Sequence, residues 1–527
     1  MPSLIGGVAH WATANCRRLW LTSFAFFFLL MACFSIATPL AAAPDEPAHI
    51  TRAASVVRGQ INGPDVSQTV VVAGIPRTEV VTGIRLPERF NSLNTMYQCY
   101  VYDATKSAAC AKPYTGTDNE ISMTTAAGRY NPAYYLAIGW PTLLFQGTDA
   151  IYLMRLLSAL ICAALLASAV ATAGEWRRPG VAALGVTAAA TPMVLFLGGV
   201  VNPNAVECAA GILAWISVLT VFMQPDPRRL NRNLARAGIA SCTLFCIRPL
   251  GLAWVLAAIV VGLLIAERGT LVQTVRRRVF WLWTGIAGIA FLFSEAWNMT
   301  HPDNSGMASS MTAKAVALWS FNHSPRFVVQ MIGNFGWLDT PAPEFTLLLW
   351  PGVIFALGLL AWSCARRLEA LSIVAIGVGI FVLPILAGAM SAELGPIWQG
   401  RYLLAFAAGL PILCACIVAK HEPLGTDRRR GLVNSSMLLL LAANLVAFYW
   451  SERRYSVGSW GSLLIRHAHW QPPGTWALWL LVYAVALTIQ YGVVRALDRP
   501  RNETPGPDSE SAQAQAPIGA APSGLPG

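Results

Sequence analysis

Residues 17–49 read RRLWLTSFAFFFLLMACFSIATPLAAAPDEPAH. Two arginines open the stretch, an apolar run from Leu19 to about Ala41 follows, and a proline-flanked acidic pair, Asp45-Glu46, closes it. A run of roughly 20 apolar residues is the length of helix that crosses a hydrocarbon core. Arginines on one flank mark that flank as cytoplasmic by the positive-inside rule, so the acidic pair is delivered to the opposite face. The run also ends in Ala41-Ala42-Ala43, a small-residue site of the signal-peptidase kind, but it is long for a secretory h-region.

The same pattern repeats along the chain. Of 527 residues, 55% are hydrophobic and 12% charged, too apolar a balance for a soluble chain of this length to keep its surface in water. Apolar segments fall near 19–41, 150–173, 180–200, 205–223, 237–266, 279–299, 346–364, 371–390, 401–419, 432–450 and 475–494. The segment 237–266 has arginines on both sides, Arg236 and Arg268, and is expected to be a hairpin of two short helices turning at Arg248-Pro249. Counted so, there are about twelve crossings with both termini in the cytoplasm. Backbone groups in lipid have no partners outside helices or closed barrels, so the fold class is an all-α polytopic membrane domain, residues 1–496.

The net charge of +11 lies in arginine clusters between the spans, at 17–18, 177–178, 228–236, 276–278, 366–367 and 428–430. No base-reading motif accompanies them, and they read as topology determinants; no nucleic-acid partner is expected. The long polar stretches then face outward: 42–133, 300–345, 391–400 and 451–474. The first of these opens with an amphipathic helix to about Gly59, alternates like a strand over Gln68–Val81, and returns to the membrane by a second interfacial helix from Asn131-Pro132 to Phe145. Of eleven cysteines only Cys99 and Cys110 fall in an outward loop, where an oxidised pair can persist, and they are expected to form a disulfide. The tail 497–527, rich in Pro, Gly, Ala, Ser and Gln, is expected to be disordered and cytoplasmic.

Asp45 and Glu46 are the leading candidates for chemistry. Sugar transfer to a hydroxyl needs a base to take the acceptor proton, and a carboxylate at the membrane surface can serve beside a membrane-bound donor. Asp-Glu-Pro is equally a good helix start, with an acidic cap and proline in the first turn. His49 lies one turn on, either as a substrate or metal contact or as an ordinary helix-face histidine. Arg401, beside Gln399 and Tyr402 at the outer end of a span, could grip a phosphate through two parallel hydrogen bonds or simply snorkel to the interface. Arg248, at the hairpin turn, is costly in the membrane unless it faces a cavity or partner. Asn202, Asn204 and Glu207 can form one polar patch, or in part cap a helix. Trp337 and Asp339 could supply a stacking ring and a hydroxyl acceptor for a sugar, and Trp337 is equally at home in an interfacial belt. No Walker or HExxH run is present, and the cytoplasmic breaks are too short for a nucleotide-sugar domain, so a donor must arrive through the bilayer.

The runs Pro44-Asp45-Glu46-Pro47-Ala48-His49, Asn202-Pro203-Asn204-Ala205, Arg248-Pro249-Leu250-Gly251, Gly333-Asn334-Phe335-Gly336-Trp337-Leu338-Asp339 and Gln399-Gly400-Arg401-Tyr402-Leu403 resemble a family of predicted bacterial membrane proteins of unknown function. That family is in turn similar to the GT-C glycosyltransferases. The resemblance covers about residues 40–450 and is most specific at Pro44–His49. It implies a GT-C-like fold with a large first extracytoplasmic loop braced by two interfacial helices. It further implies a polyprenyl-phosphate-sugar donor, an essential carboxylate at Asp45 or Glu46, and a cell-envelope glycan, lipid or protein as acceptor. Many relatives have Asp-Asp where this chain has Asp-Glu; Asp45 is expected to be the base, with Glu46 orienting the acceptor or helping to hold a divalent cation. The high alanine and arginine content suggests a GC-rich bacterial genome, actinobacterial by analogy, in which arabinofuranose or mannose donors are common. The competing class is a transporter or lipid-linked-glycan flippase, for which twelve spans are also natural; no internal repeat supports it, and the polar residues gather in loops rather than mid-span.

Overall fold

A computed structural model describes residues 2–72, 75–302, 306–307 and 309–498. Among these residues nine helices are long and apolar enough to cross a membrane, and ten if one bent pair is a single span. The first is Cys16–Ala37, its start capped by Asn15, whose side chain accepts the Arg18 N–H at 2.9 Å, and its end set by the extended Thr38 before Pro39. The bent pair is Pro179–Ala189 and Pro192–Gly198, meeting at 67°. Pro192 cannot continue the helix ahead of it, and Thr191 caps the second half by accepting the Val194 N–H.

The segment expected as a hairpin is two helices, Leu230–Ile247 and Gly251–Leu264, packed on each other and on Pro203–Met223. The break falls at Arg248-Pro249, where Arg248 is extended. Only glycine fits at 251, because a Cβ there would lie 2.0 Å from the Leu244 carbonyl oxygen. The expected twelve crossings counted each half of this segment as a span. The second half, at 14 residues, reaches only about 21 Å at 1.5 Å per residue, short of the hydrocarbon thickness.

Pro203–Met223 is the axis of the bundle, buried along its whole length, whereas Arg278–Thr300 buries only Ser294 and forms a lipid-facing flank. Small residues allow the central helices to approach: Gly211 meets Ala405, Gly185 meets Ala415, and Gly409 lies against Trp215. The C-terminal helix runs to Leu497, and the remainder of the tail beyond Asp498 lies outside the described residues.

The loop after the first span departs from an all-α reading. It carries an antiparallel sheet, order β1-β2-β3, of β1 (Asp65–Val72), β2 (Ile75–Pro87) and β3 (Glu120–Thr125), with Gly306–Met307 of the later loop pairing with β2. The alternation over Gln68–Val81 is the first hairpin of that sheet. Two helices connect it to the membrane domain: Glu46–Val56, and Pro132–Gly139 continued by Pro141–Leu144, with Asn131 accepting the Ala133 N–H as the cap. Arg52, buried on the first of these helices, donates to the carbonyls of Ile61 and Tyr130 at 2.9 Å each and so ties both ends of the loop to its base. Cys99 and Cys110 are disulfide-bonded, with Cα atoms 6.1 Å apart.

Candidate active site

Between the first span and the helix Glu46–Val56 the chain turns sharply, with two non-glycine residues in the left-handed region, Ala41 at φ 63° and Asp45 at φ 60°. Such residues cost about 1–2 kcal/mol each and persist only where surrounding structure over-determines them. Arg155, one of the few charges inside a span, does this. Its Nη1 donates to the Ser35 and Thr38 carbonyls at 2.7 Å, and its Nη2 to the Pro39 carbonyl at 2.9 Å. Nε and Nη2 grip both carboxylate oxygens of Glu46 at 2.7 Å. All five donors of the guanidinium are taken, and neither side chain is exposed. Glu46 Oε1 also accepts the Val201 N–H at 3.1 Å. Glu46 therefore points into the bundle, and its contacts make it a clamp for the turn, not the acceptor-orienting or cation-holding group expected from its place beside Asp45.

The clamp presents Asp45 outward, and its side chain stays 46% exposed. Its carboxylate accepts a hydrogen bond from Arg401 Nη2, from a buried guanidinium whose Nε donates to Gln399 Oε1 at 2.6 Å. The backbone before Arg401 is fixed by Gln330, which accepts the Gly400 N–H at 2.7 Å. Arg248 arrives from the helix break, with its guanidinium 4.5 Å from the centre of the Tyr402 ring; Arg401 lies 5.1 Å from the same ring. Two cations thus lie within cation–π range of one ring. The counter-charge of Arg248 is buried Glu207, at 3.8 Å, itself oriented by Asn204 at 2.8 Å and the Trp254 indole at 2.9 Å. Asn202 donates to the Pro44 carbonyl at 3.0 Å and caps its own helix through the Asn204 N–H.

Asp45, His49, Asn202, Asn204, Arg248, Gln399, Arg401 and Tyr402 are therefore brought into one cluster by segments up to 356 residues apart. Trp337 and Asp339 lie on its margin. The Trp337 indole donates to the Ala41 carbonyl at 3.0 Å and stacks on Tyr97, while Asp339 accepts the Tyr102 N–H at 2.9 Å and faces Arg454 at 3.7 Å. The carboxylate of Asp339 is thus committed to the protein, not open to a sugar hydroxyl.

Burial would push the Asp45 carboxyl up, but Arg401, with His49 and Arg248, holds it below the ordinary carboxylate value. Burial pushes the His49 imidazole down to about 3, against the pull of the Asp45 charge and with help from Arg401 and Arg248. His49 is thus neutral at physiological pH, its Nδ1 2.9 Å from the Tyr135 hydroxyl. The carboxylates of Asp45 and Glu46 face different cations and do not converge into a chelate. Among the described residues no three His, Cys, Asp or Glu side chains come together in a way that could hold a metal ion.

Residues 27–410 match a family described as predicted membrane protein (DUF2142). The chain belongs to that family. The matched region holds every member of the Asp45–Arg401 cluster of this DUF2142 protein. No curated protein matches the chain. Among solved structures, the chain is similar to ArnT from Cupriavidus metallidurans in the apo state, with a TM-score of 0.45 and 14% identity over 92% of this chain and 77% of that one. It is also similar to ArnT from the same organism bound to undecaprenyl phosphate, with a TM-score of 0.42 and 14% identity over 91% and 77%.

Three contributors to the DUF2142 site escape a reading of the sequence. Arg155 carried a signal, since a lone arginine near the start of an apolar span is costly unless it has a partner. Gln330 and Tyr130 carried none, because a glutamine or tyrosine in a loop or short helix is unremarkable until tertiary contacts place it beside Arg401 and Arg248.

Proposed function

We propose that this DUF2142 protein is a membrane glycosyltransferase of the GT-C type, moving a sugar from a polyprenyl-phosphate donor to a cell-envelope acceptor on the extracytoplasmic face of the plasma membrane. The observation that carries this reading is the half-exposed Asp45 carboxylate set against two guanidiniums at the membrane end of the first loop. Asp45 takes the proton of an acceptor hydroxyl, and that oxygen forms the new bond to the anomeric carbon. The bond from the anomeric carbon to the phosphate oxygen breaks, and its electron pair leaves with the polyprenyl phosphate, which Arg401 and Arg248 stabilise. A direct displacement of this kind inverts the anomeric centre. The arginine clusters on the opposite flanks of the spans support the outward orientation, with both termini in the cytoplasm.

A lipid-linked donor also needs somewhere for its chain. Leu404, one residue past the turn that carries Arg401, lines an apolar cavity of 530 Å³ together with Ile354, Phe355, Ile380 and Phe381. The spans Glu344–Cys364 and Arg367–Met390 line it together with residues around Thr191, Met331 and Leu404, so an isoprenoid can occupy it with the phosphate near Arg401.

The test is transfer by the purified protein from a panel of radiolabelled polyprenyl-phosphate sugars to membrane glycans. Transfer from one donor establishes the activity; folded protein that transfers from none moves the assignment to a transporter or flippase. Arg248→Gln is expected to raise the donor KM about tenfold to hundredfold, since a charge-assisted hydrogen bond is worth about 1.5–3 kcal/mol. An unchanged donor KM would remove Arg248 from the phosphate site.

The pH profile of transfer gives a second check. Asp45 must be ionised to act as base, and its value is held down, so the acid limb of activity should lie below the ordinary carboxylate range. Arg401→Gln removes the main cation beside a partly buried carboxyl, and the acid limb should then move up. An acid limb in wild type near pH 6 would contradict this account of Asp45.

A further inference from the structure

Beside Asp45 lies a patch of aromatic rings with no part in the steps above. Tyr97 and Trp337 stack with centroids 4.6 Å apart and planes 20° from parallel. The Trp337 indole is anchored to the Ala41 carbonyl, in the same turn that ends at Asp45. Tyr102 stands next to them with 72% of its surface exposed and its hydroxyl 3.4 Å from the Trp337 carbonyl.

The exposed ring is held from beneath. Tyr102 has φ 58°, a left-handed conformation that bulky residues seldom adopt. Its N–H is held by Asp339, whose side chain is 9% exposed and faces buried Arg454. Arg454 in turn donates to the Tyr100 and Lys106 carbonyls at 2.6 Å. The Cys99–Cys110 disulfide closes the same loop from the other side. A strained backbone, a buried ion pair and a disulfide all serve to keep a solvent-exposed tyrosine in one position, which is an expense for folding and an asset for recognition.

We propose that Tyr97, Tyr102 and Trp337 form a carbohydrate-binding subsite, and that the acceptor hydroxyl delivered to Asp45 belongs to a sugar ring. The role of that sugar as acceptor rests on the transferase reading; carbohydrate binding by the three rings does not. Flat aromatic faces match the C–H face of a sugar, and phenol hydroxyls at their edge can bond to its hydroxyl groups. A lipid acceptor would be served by an apolar groove, and the apolar cavity lies among the spans, lined by Phe355 and Phe381. The roles of the expected pair shift accordingly: Trp337 is the wall and Asp339 the clamp, and Tyr102 is the open ring.

The experiment is saturation-transfer NMR and calorimetric titration of the full chain in nanodiscs with tetrasaccharides of arabinose, mannose, galactose and N-acetylglucosamine. At least one is expected to bind wild type, with Kd raised tenfold or more in Tyr102→Ala and Tyr97→Ala and largely kept in Tyr102→Phe. The exposure of Tyr102 makes Tyr102→Ala safe for folding. Reduction of the disulfide should weaken the same affinity. Binding of none of the four, or an unchanged Kd in both alanine variants, overturns the subsite. Binding without transfer from any donor upholds the subsite and removes the transferase reading. Transfer to a non-carbohydrate acceptor with a KM indifferent to Tyr102→Ala does the reverse.

Discussion

Asp45→Asn is expected to lower transfer by about 10²- to 10⁴-fold, the usual contribution of a general base. The choice of asparagine matters for the inference. Asp45 sits at φ 60°, and asparagine is among the few side chains that tolerate this region, so the turn survives the substitution. The amide oxygen can still accept a hydrogen bond from Arg401, and the half-exposed position spares the bundle a cavity. Alanine at the same place would mix backbone strain and a buried guanidinium without its counter-charge with the loss of the base. Steady-state transfer beside thermal unfolding in detergent separates the two effects. Full activity in a folded Asp45→Asn protein would sink the catalytic assignment, and loss of activity with loss of folding would point to a structural carboxylate.

Arg155→Met should have the largest effect on stability. The substitution leaves the Glu46 carboxylate buried without its cation and strips hydrogen bonds from the Ser35, Thr38 and Pro39 carbonyls. Removing one partner of a buried ion pair costs about 3–5 kcal/mol, most of it from the uncompensated charge left behind. Adding Glu46→Gln to Arg155→Met should therefore restore part of the loss, since no buried charge remains. The double variant should still transfer poorly if the clamp holds Asp45 in place, because the left-handed turn loses its anchor. Thermal unfolding of the two single variants and the double variant completes the cycle. An Arg155→Met protein as stable as wild type would show that the clamp is dispensable.

Much of the site was legible before any tertiary contact was known, but unevenly. Asp45, Arg248, Arg401 and Tyr402 stood out because charged and aromatic groups at the ends of apolar runs have few bland explanations. Glu46 stood out for the same reason and turned the other way. Adjacent residues at a helix start can point in opposite directions, and Asp45 faces Arg401 while Glu46 faces Arg155. Asp339 was similarly legible as a polar group and not as a clamp, since its partners Tyr102 and Arg454 are distant in the chain.

The sequence by itself determined the solvent this protein folds in, the positions of most spans, the helices that brace the first loop, and the sheet hairpin seeded by Gln68–Val81. These follow from local quantities: the length of an apolar run, the periodicity of a strand, a proline or asparagine at a helix start. Only the tertiary structure decided which carboxylate meets which guanidinium and which aromatic rings lie beside Asp45. Those pairings join segments such as Asp45 and Arg401, 356 residues apart, through helix packing that depends on small residues scattered along several spans. A side chain's partner is a property of that packing, and no local pattern encodes it.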